Sequence, residues 1–546
     1  MADATGQGRI PARIVNQAAL AGCYNNSATK GRTSSGYEFP SRMKTPKTQK
    51  LWWNQAGSVL LPILIASIFL AFTFSYFPFR EKLQFDTDEG LNLMRSMLVT
   101  LGYPLYSQVS SDQPPLFNQI LALLFRAVGF EVNPARFLVL LFSTLLVWAG
   151  AQYLQATSGR LAAVLFLPLM IMVPRYLGLS VAVMIGVPSL ALAITSLTFI
   201  VLWHQRRRDG WLVLSGFMLA LSILVKLFTG FVAPIFVTGI TIAEYMDRRA
   251  EGRSWKMLRP ALIWSISFAG IAILLGLALI GPDNVWSIIA PSLNAPAQAE
   301  FQSEYFAMNT HLQGAVPLLV LGFVGVLIAL VNRNWLMFYP LAWAALAYAL
   351  FSIYSPVFYH HQLLITVPMA MIAASGLGDG VSSLFHIRQP SDVRRLQTAL
   401  GLLAVLGFIW VSTTYVPVLN DELMDDPRLT DFNLRATPGK LAILRTMDEY
   451  ADQTNWIVTD MPLYAFRVGK PVPPILATFS QKRLSTGSLT EEDILDAMRE
   501  YQPEQVMMAR FQIPALEEYL QQHYTLILDR EFFRLFLRDD LASVNE

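Results

Sequence analysis

Two acidic side chains, Asp88 and Glu89, are adjacent in the chain just after its first long apolar segment. A carboxylate in such a place can accept a proton from an attacking hydroxyl or amine, or it can ligate a hard divalent cation. The alternative is structural, because acidic side chains also stabilise the first turn of a helix. From Asp88 and Glu89 alone, both interpretations stay open.

A second acid, Asp112, stands with Gln113 directly before a pair of prolines. Proline is common in the first turn of a helix, so this motif predicts a helix start. Asp112 is also a candidate for orienting a substrate.

Cationic and imidazole side chains also border apolar segments. Lys226 lies at the end of the apolar segment 211–227, and Arg175 near the end of the segment 160–176. A lysine at the end of a membrane span is often only a snorkelling anchor, but a cation beside carboxylates can also bind a phosphate. His360 and His361 are adjacent, so on a helix they point to different sides and make a poor metal site. One of them is a candidate hydrogen-bond partner for a phosphate.

Composition limits the class of protein that these residues serve. Of the 546 residues, 54% are apolar and only 15% are charged, and the net charge is +2. A soluble protein has roughly 25% charged residues. These values exclude a disordered, fibrous or nucleic-acid-binding chain. The single cysteine, Cys23, excludes a disulfide framework.

The apolar residues occur in segments of the length that crosses a bilayer, which predicts a polytopic α-helical membrane protein. Two further helices, 89–101 and 115–129, are predicted to lie at the membrane interface, because counting the second as a span would place the arginines 206–208 outside. The predicted spans number eleven: 57–79, 134–156, 160–176, 186–204, 211–227, 229–246, 260–280, 314–331, 335–353, 361–378 and 398–418.

The distribution of Lys and Arg predicts the orientation of the chain. Residues 1–50 form a basic segment that we expect to be a disordered cytoplasmic tail, and the inner loops collect further arginines. The regions 80–133 and 281–313 then become loops on the outer face. Residues 419–546 are soluble in composition and alternate strand-like with helical patterns, so they predict a small extracytoplasmic α/β domain.

Several short motifs resemble those of the C-type membrane glycosyltransferases, and most closely the family of protein O-mannosyltransferases and bacterial lipid A aminoarabinose transferases. The resemblance covers residues 55–530. Its motifs are Asp-Glu-Gly at 88–90, Gly-Tyr-Pro-Leu-Tyr at 102–106, Pro-Pro-Leu at 114–116, Ala135-Arg136, the segment Leu219–Phe228 with its lysine, and His360-His361 before Pro368.

This resemblance implies transfer of a hexose or pentose from a polyprenyl-phosphate donor to a lipid, glycan or protein acceptor. It implies that residues 51–418 are the membrane module and that the active site faces out of the cytoplasmic (inner) membrane. Asp88, with Glu89 beside it, matches the acid that serves the family as general base. Lys226, Arg175 and a histidine of the pair 360–361 would then stabilise the departing phosphate.

The chain departs from the family pattern at two positions. Asp112 matches an acid before the prolines, but the lysine that usually follows is replaced by Gln113. A second family acid in the next outer loop falls on Gly186. A divalent cation therefore stays an open question. The alternative functions are a lipid or sugar transporter or flippase, and a non-catalytic scaffold in the membrane.

Overall fold

The structure is a computed structural model that describes residues 52–248, 254–285, 307–354, 356–385, 392–424 and 437–542. All of these residues belong to one compact unit, Thr48–Glu546. The predicted tail 1–50 lies outside the described residues, as do residues 286–306 of the predicted loop 281–313 and residues 425–436 before the C-terminal region.

The predicted fold class, a polytopic α-helical membrane protein, is confirmed. Within the described ranges, nine helical segments are long and apolar enough to cross a membrane, and each coincides with a predicted span. They are Val59–Tyr76, Val132–Thr157, Gly186–Arg206, Leu227–Met246, Met257–Ile280, Met308–Val331, Trp335–Ile353, Tyr359–Phe385 and Asp392–Asp421.

The other two predicted spans are helices too short to be counted with these nine. The first, Arg160–Ile171, contains Pro168 and is followed by Pro174, which disfavours helical backbone at the residue before it. The second, Gly210–Val225, ends at Lys226, whose backbone is extended with φ of −151°. Non-helical backbone is tolerated at membrane depth where protein covers it. Residues Val181, Ala182 and Val183, which follow the first short helix, are indeed fully buried.

Both predicted interfacial helices are present, as Thr87–Thr100 and Leu116–Val128. We refer to Thr87–Thr100 as the first-loop helix. Residues 89–99 of this helix are almost all buried, although their mean character is only weakly apolar. The first-loop helix is therefore covered by protein, and it carries its polar side chains into an interior.

The C-terminal α/β region, residues 437–542, contains one four-stranded sheet. Its strands are β1 (Ile457–Thr459), β2 (Gln505–Met508), β3 (Tyr524–Arg530) and β4 (Phe533–Arg538), in the order β1-β2-β4-β3. β1 and β2 are parallel, and the other pairs are antiparallel. The helices of this region are Pro438–Glu449, Pro462–Arg467, Gln481–Ser485, Glu491–Tyr501, Pro514–His523 and Asp539–Ala542.

The C-terminal α/β region packs directly on the first-loop helix. A Cβ added to Gly90 would lie 2.6 Å from the backbone nitrogen of Leu463, so only glycine permits this approach. Phe466 contacts Phe125 with ring centroids 5.4 Å apart. The guanidinium of Arg467 donates to the carbonyl of Leu83 at 2.6 Å. This region and the first loop therefore share a hydrophobic core.

Candidate active site

The first-loop helix begins at a carboxylate that sequence reasoning did not single out. Asp86 caps the helix, and its Oδ1 accepts from the backbone nitrogen of Asp88 at 2.8 Å. Its Oδ2 accepts from the hydroxyl of Tyr359 at 2.5 Å. Burial, with the nearby charge of Asp88 next in importance, raises the pKa of Asp86 to about 7. The residue type favoured at a helix N-cap was the only sequence signal for this role.

Glu89 lies in a fully buried ion pair with Arg136. The guanidinium Nε and Nη2 donate to the two carboxylate oxygens at 2.8 Å each, and neither side chain is exposed. Arg136 also donates to the carbonyls of Phe79 and Lys82 at 2.6 and 2.8 Å. These bonds fix the chain between the first membrane helix and the first-loop helix. Both oxygens of Glu89 are thus engaged by the protein itself.

Asp88, in contrast, presents a carboxylate that accepts no hydrogen bond from the described residues. Its side chain is partly exposed. Burial raises the pKa of Asp88 above its ordinary value. The positive charge of Arg95 acts against this rise, the negative charge of Asp112 adds to it, and the positive charge of Lys226 again acts against it. The group that the sequence singled out first is therefore the acid whose oxygens are left for another molecule.

Asp112 lies between two cations from distant parts of the chain. Its Oδ2 is 3.1 Å from Nζ of Lys482, and its Oδ1 is 3.6 Å from Nη2 of Arg95. Burial alone would raise the pKa of Asp112, but the charges of Lys482 and Arg95 outweigh this effect and hold it below its ordinary value. Asp112 is therefore a carboxylate anion at neutral pH.

Lys226 is 6% exposed and lies just beyond the helix Gly210–Val225. Its backbone nitrogen donates to the carbonyl of Ser222 at 2.9 Å, and its charge acts on Asp88, Asp112 and Asp86. A snorkelling lysine would place its ammonium in water. Lys226 is instead buried, near enough to three carboxylates for its charge to act on them.

The predicted phosphate ligands Arg175, His360 and His361 lie on the same side of the protein. Arg175 is exposed, has a positive φ of 61°, and stacks its guanidinium 4.6 Å from the ring centre of Tyr359. His361 is packed between Phe351 and Phe228, at centroid distances of 5.1 and 5.6 Å. Nδ1 of His361 accepts from the backbone nitrogen of Phe358 at 3.2 Å.

His360 differs from His361 in its hydrogen bonding. Nδ1 of His360 is buried and has no hydrogen-bond partner among the described residues. Its ring stacks on Phe358 with centroids 5.9 Å apart. Within the described part of the chain, Nδ1 of His360 is therefore left without a partner, whereas Nδ1 of His361 is engaged by the backbone.

The two positions that depart from the family pattern contribute backbone rather than charge. The carbonyl of Gln113 accepts from the hydroxyl of Tyr106 at 2.8 Å. Gly186 begins a membrane helix, and a Cβ added there would meet no atom within 4 Å. Asp112 is already neutralised by two cations, and no group of three His, Cys, Asp or Glu side chains able to hold a metal occurs in the described ranges. These residues do not fit a divalent cation, and we derive no step through one.

The site therefore joins Asp88, Asp112 and Lys226, as predicted, with groups that the sequence did not indicate. The latter are Asp86, Arg95, Lys482 and Arg510. Arg95 is 3% exposed, and a buried arginine inside a helix has no sequence signature that distinguishes it from a surface one.

Residues 112–286 match the family model described as dolichyl-phosphate-mannose-protein mannosyltransferase. The comparison with curated proteins finds no match. Among solved structures, the fold is similar to that of ArnT from Cupriavidus metallidurans, crystallised with undecaprenyl phosphate. The TM-score is 0.54 at 12% identity, over 88% of this chain and 98% of that one.

Two structures from Archaeoglobus fulgidus are also similar. The oligosaccharyltransferase in its apo form gives a TM-score of 0.52 at 13% identity, over 84% of this chain and 70% of that one. The oligosaccharyltransferase AglB in complex with an inhibitory peptide and a dolichol-phosphate gives 0.50 at 14% identity, with the same coverage. The predicted resemblance is confirmed: the chain has the C-type glycosyltransferase fold, and residues 112–286 match the model of the dolichyl-phosphate-mannose-protein mannosyltransferase family.

Proposed function

We propose that this protein transfers a sugar from a polyprenyl-phosphate donor to an acceptor, and that Asp88 is the general base. The observation that carries the proposal is the Asp88 carboxylate, which accepts no hydrogen bond from the described protein and lies in the field of Arg95, Lys226 and Arg510. A free base beside cations suits a reaction in which an acceptor loses a proton and a phosphate leaves. The similar ArnT structure holds undecaprenyl phosphate, and the AglB structure holds a dolichol-phosphate.

The chemistry follows from these groups. The oxygen or nitrogen of the acceptor attacks the anomeric carbon of the sugar, and its proton passes to the Asp88 carboxylate. The bond between the anomeric carbon and the phosphate oxygen breaks, and the electron pair stays on the phosphate. Attack opposite to the leaving group inverts the anomeric centre. Lys226 stabilises the charge on the departing polyprenyl phosphate, and no nucleotide takes part.

The remaining site residues receive supporting roles in this proposal. Glu89, fully engaged by Arg136, positions the start of the first-loop helix. Asp112 orients the donor, and Gln113 shapes the loop through its carbonyl. Arg175 and His360 are further ligands for the donor phosphate, whereas His361 packs against the ring of Phe351.

The location of the site is also part of the proposal. Lys226, Asp88 and the C-terminal α/β region lie at one end of the membrane helices, and the positive-inside rule assigns this end to the outer face of the cytoplasmic membrane. The acceptor is then a hydroxyl or amine of a lipid, glycan or protein that reaches this face. A flippase would instead place its polar groups near the bilayer midplane.

The decisive experiment measures sugar transfer by the purified protein in nanodiscs. Undecaprenyl-phosphate hexoses and an aminopentose serve as donors, envelope lipids and peptides serve as acceptors, and product is detected by mass spectrometry. We expect Asp88→Asn to lower kcat by about 10²- to 10⁴-fold without changing the thermal unfolding midpoint. Asp452→Asn, a change on an exposed aspartate of the C-terminal α/β region, is the matched control.

Equal transfer by Asp88→Asn and the wild type would remove Asp88 as the base. Movement of labelled lipid across the bilayer, with no product from any donor, would favour the flippase.

A further inference from the structure

We propose that Lys482, in the C-terminal α/β region, supplies the cation that Gln113 does not supply, and that it forms part of the binding site for the donor phosphate. This inference rests on the proposed function. With this role for Lys482, the C-terminal α/β region contributes a side chain to the active site.

The first argument is the charge around Asp112. Lys482 and Arg95 approach its two oxygens at 3.1 and 3.6 Å, so two cations flank one carboxylate. The excess positive charge favours a second anion at this place. An ammonium has three donors, and the structure uses one of those of Lys482, for Asp112. The Lys482 side chain is 25% exposed, which leaves it accessible to a ligand.

The second argument is that the structure fixes Lys482 in place. It lies on the short helix Gln481–Ser485, whose N-cap Ser480 accepts from the backbone nitrogen of Arg483. Just before this helix, Thr478 accepts from Nε of Arg95 at 2.9 Å and donates to the carbonyl of Ser110 at 2.7 Å. Three polar contacts thus join this segment to the first loop beside Asp112.

The third argument is the substitution at Gln113. In the resembled family a lysine follows the acid that matches Asp112. In this chain the residue there is Gln113, whose side-chain amide carries no charge. Without Lys482, the side chain in an ion pair with Asp112 would be Arg95, at the longer distance of 3.6 Å. A phosphate anion approaching that carboxylate would then be repelled. Lys482, 370 residues along the chain from Asp112, therefore places a cation beside this carboxylate where Gln113 supplies none.

The test uses undecaprenyl phosphate itself, so that no sugar or acceptor needs to be known. Its Kd for the full-length protein in nanodiscs is measured for the wild type and for four variants. We expect Lys482→Gln to weaken binding about tenfold and Lys482→Arg to keep most of it. Adding Gln113→Lys to Lys482→Gln should restore the affinity, because the charge returns beside Asp112. Lys470→Gln changes a second lysine of the same region, whose side chain makes no ion pair among the described residues, and this variant should bind as the wild type does.

Unchanged binding by Lys482→Gln overturns this inference and leaves the proposed function standing. Weak binding that Gln113→Lys does not restore also overturns it, because a lost charge is then not the cause. Failure of the wild type to bind undecaprenyl phosphate contradicts the proposed function itself. Should Lys482→Gln unfold, the double variant decides the question by its affinity.

Discussion

At the scale of single residues, the site depends on two aspartates that are two positions apart and have different surroundings. Asp86 is held by a backbone nitrogen and by the Tyr359 hydroxyl, whereas Asp88 receives no hydrogen bond from the described protein. Burial raises the pKa of both aspartates, and the charge of Asp88 raises that of Asp86 further. Both carboxyl groups therefore keep their protons to higher pH than an ordinary aspartate does.

The raised pKa of Asp88 predicts the pH dependence of sugar transfer. The base acts as a carboxylate, so kcat/KM should rise as pH rises through this pKa, which lies above the ~4 of a free aspartate. Arg510→Gln removes an exposed cation that lowers the pKa of Asp88, so it should move this acid limb to higher pH. A pH–rate profile of the wild type and this variant measures the shift, and an unmoved limb would contradict the effect of the Arg510 charge on Asp88.

At the scale of elements, the entry into the first-loop helix is fixed by one buried ion pair. Arg136, on the membrane helix Val132–Thr157, binds Glu89 and three carbonyls of the preceding loop. Val183 donates its backbone nitrogen to the same carboxylate at 3.4 Å. Three separate segments therefore meet at Glu89, and the position of Asp88 is set by its neighbour.

Breaking the Glu89–Arg136 pair should lower the stability of the folded protein more than it lowers the activity of each folded molecule. Glu89→Gln leaves the Arg136 charge buried without its partner, which costs about 3–5 kcal/mol of unfolding free energy. We expect a lower thermal unfolding midpoint, and an activity loss that follows the loss of folded protein. Adding Arg136→Met should recover part of the stability, since it removes the unpaired charge. Arg499→Gln, which opens an exposed pair, is the control and should change nothing measurable.

A full loss of transfer in Glu89→Gln at an unchanged midpoint would give Glu89 a catalytic role, as the sequence first suggested. The variants thus separate the two adjacent acids by different observables: Asp88→Asn changes rate, and Glu89→Gln changes stability.

At the scale of the whole molecule, the helices place all of the chemistry at one end. The helix Gly186–Arg206 has 21 residues and spans about 30 Å. Its first residue, Gly186, follows the segment in which Val183 contacts Glu89. Its last residue, Arg206, is the first of the three arginines 206–208. The basic loop and the acidic site are therefore at opposite ends of the bundle.

Cysteine labelling in intact spheroplasts tests which end faces outward. Cys23 is the single native cysteine, so a Cys23→Ser background carries no other thiol. We expect Arg499→Cys in that background to react with a membrane-impermeant maleimide, because the proposed orientation places the C-terminal α/β region outside. Arg208→Cys should react only after the cells are opened. The reverse pattern would invert the proposed orientation.

Local sequence patterns were enough to predict the fold class and the membrane helices, and to single out Asp88 as a candidate site residue. Apolar segments of bilayer length are a local property of the chain, and so are the caps and prolines that start the interfacial helices. Local patterns also located three of the strands, but β4 was not predicted. The two short helices were counted as spans because hydropathy does not register the backbone break at Lys226 or beside Pro174.

Only the tertiary structure decided which acid is free and which is paired. Asp88 and Glu89 are neighbours of the same charge, and their difference comes from Arg136, on another helix. The pairing of Asp112 with Lys482 joins positions 370 residues apart. Electrostatic contacts depend on distance in space, and a single sequence carries no record of such distances. The contact between Asp112 and Lys482 therefore becomes visible only when the chain is folded.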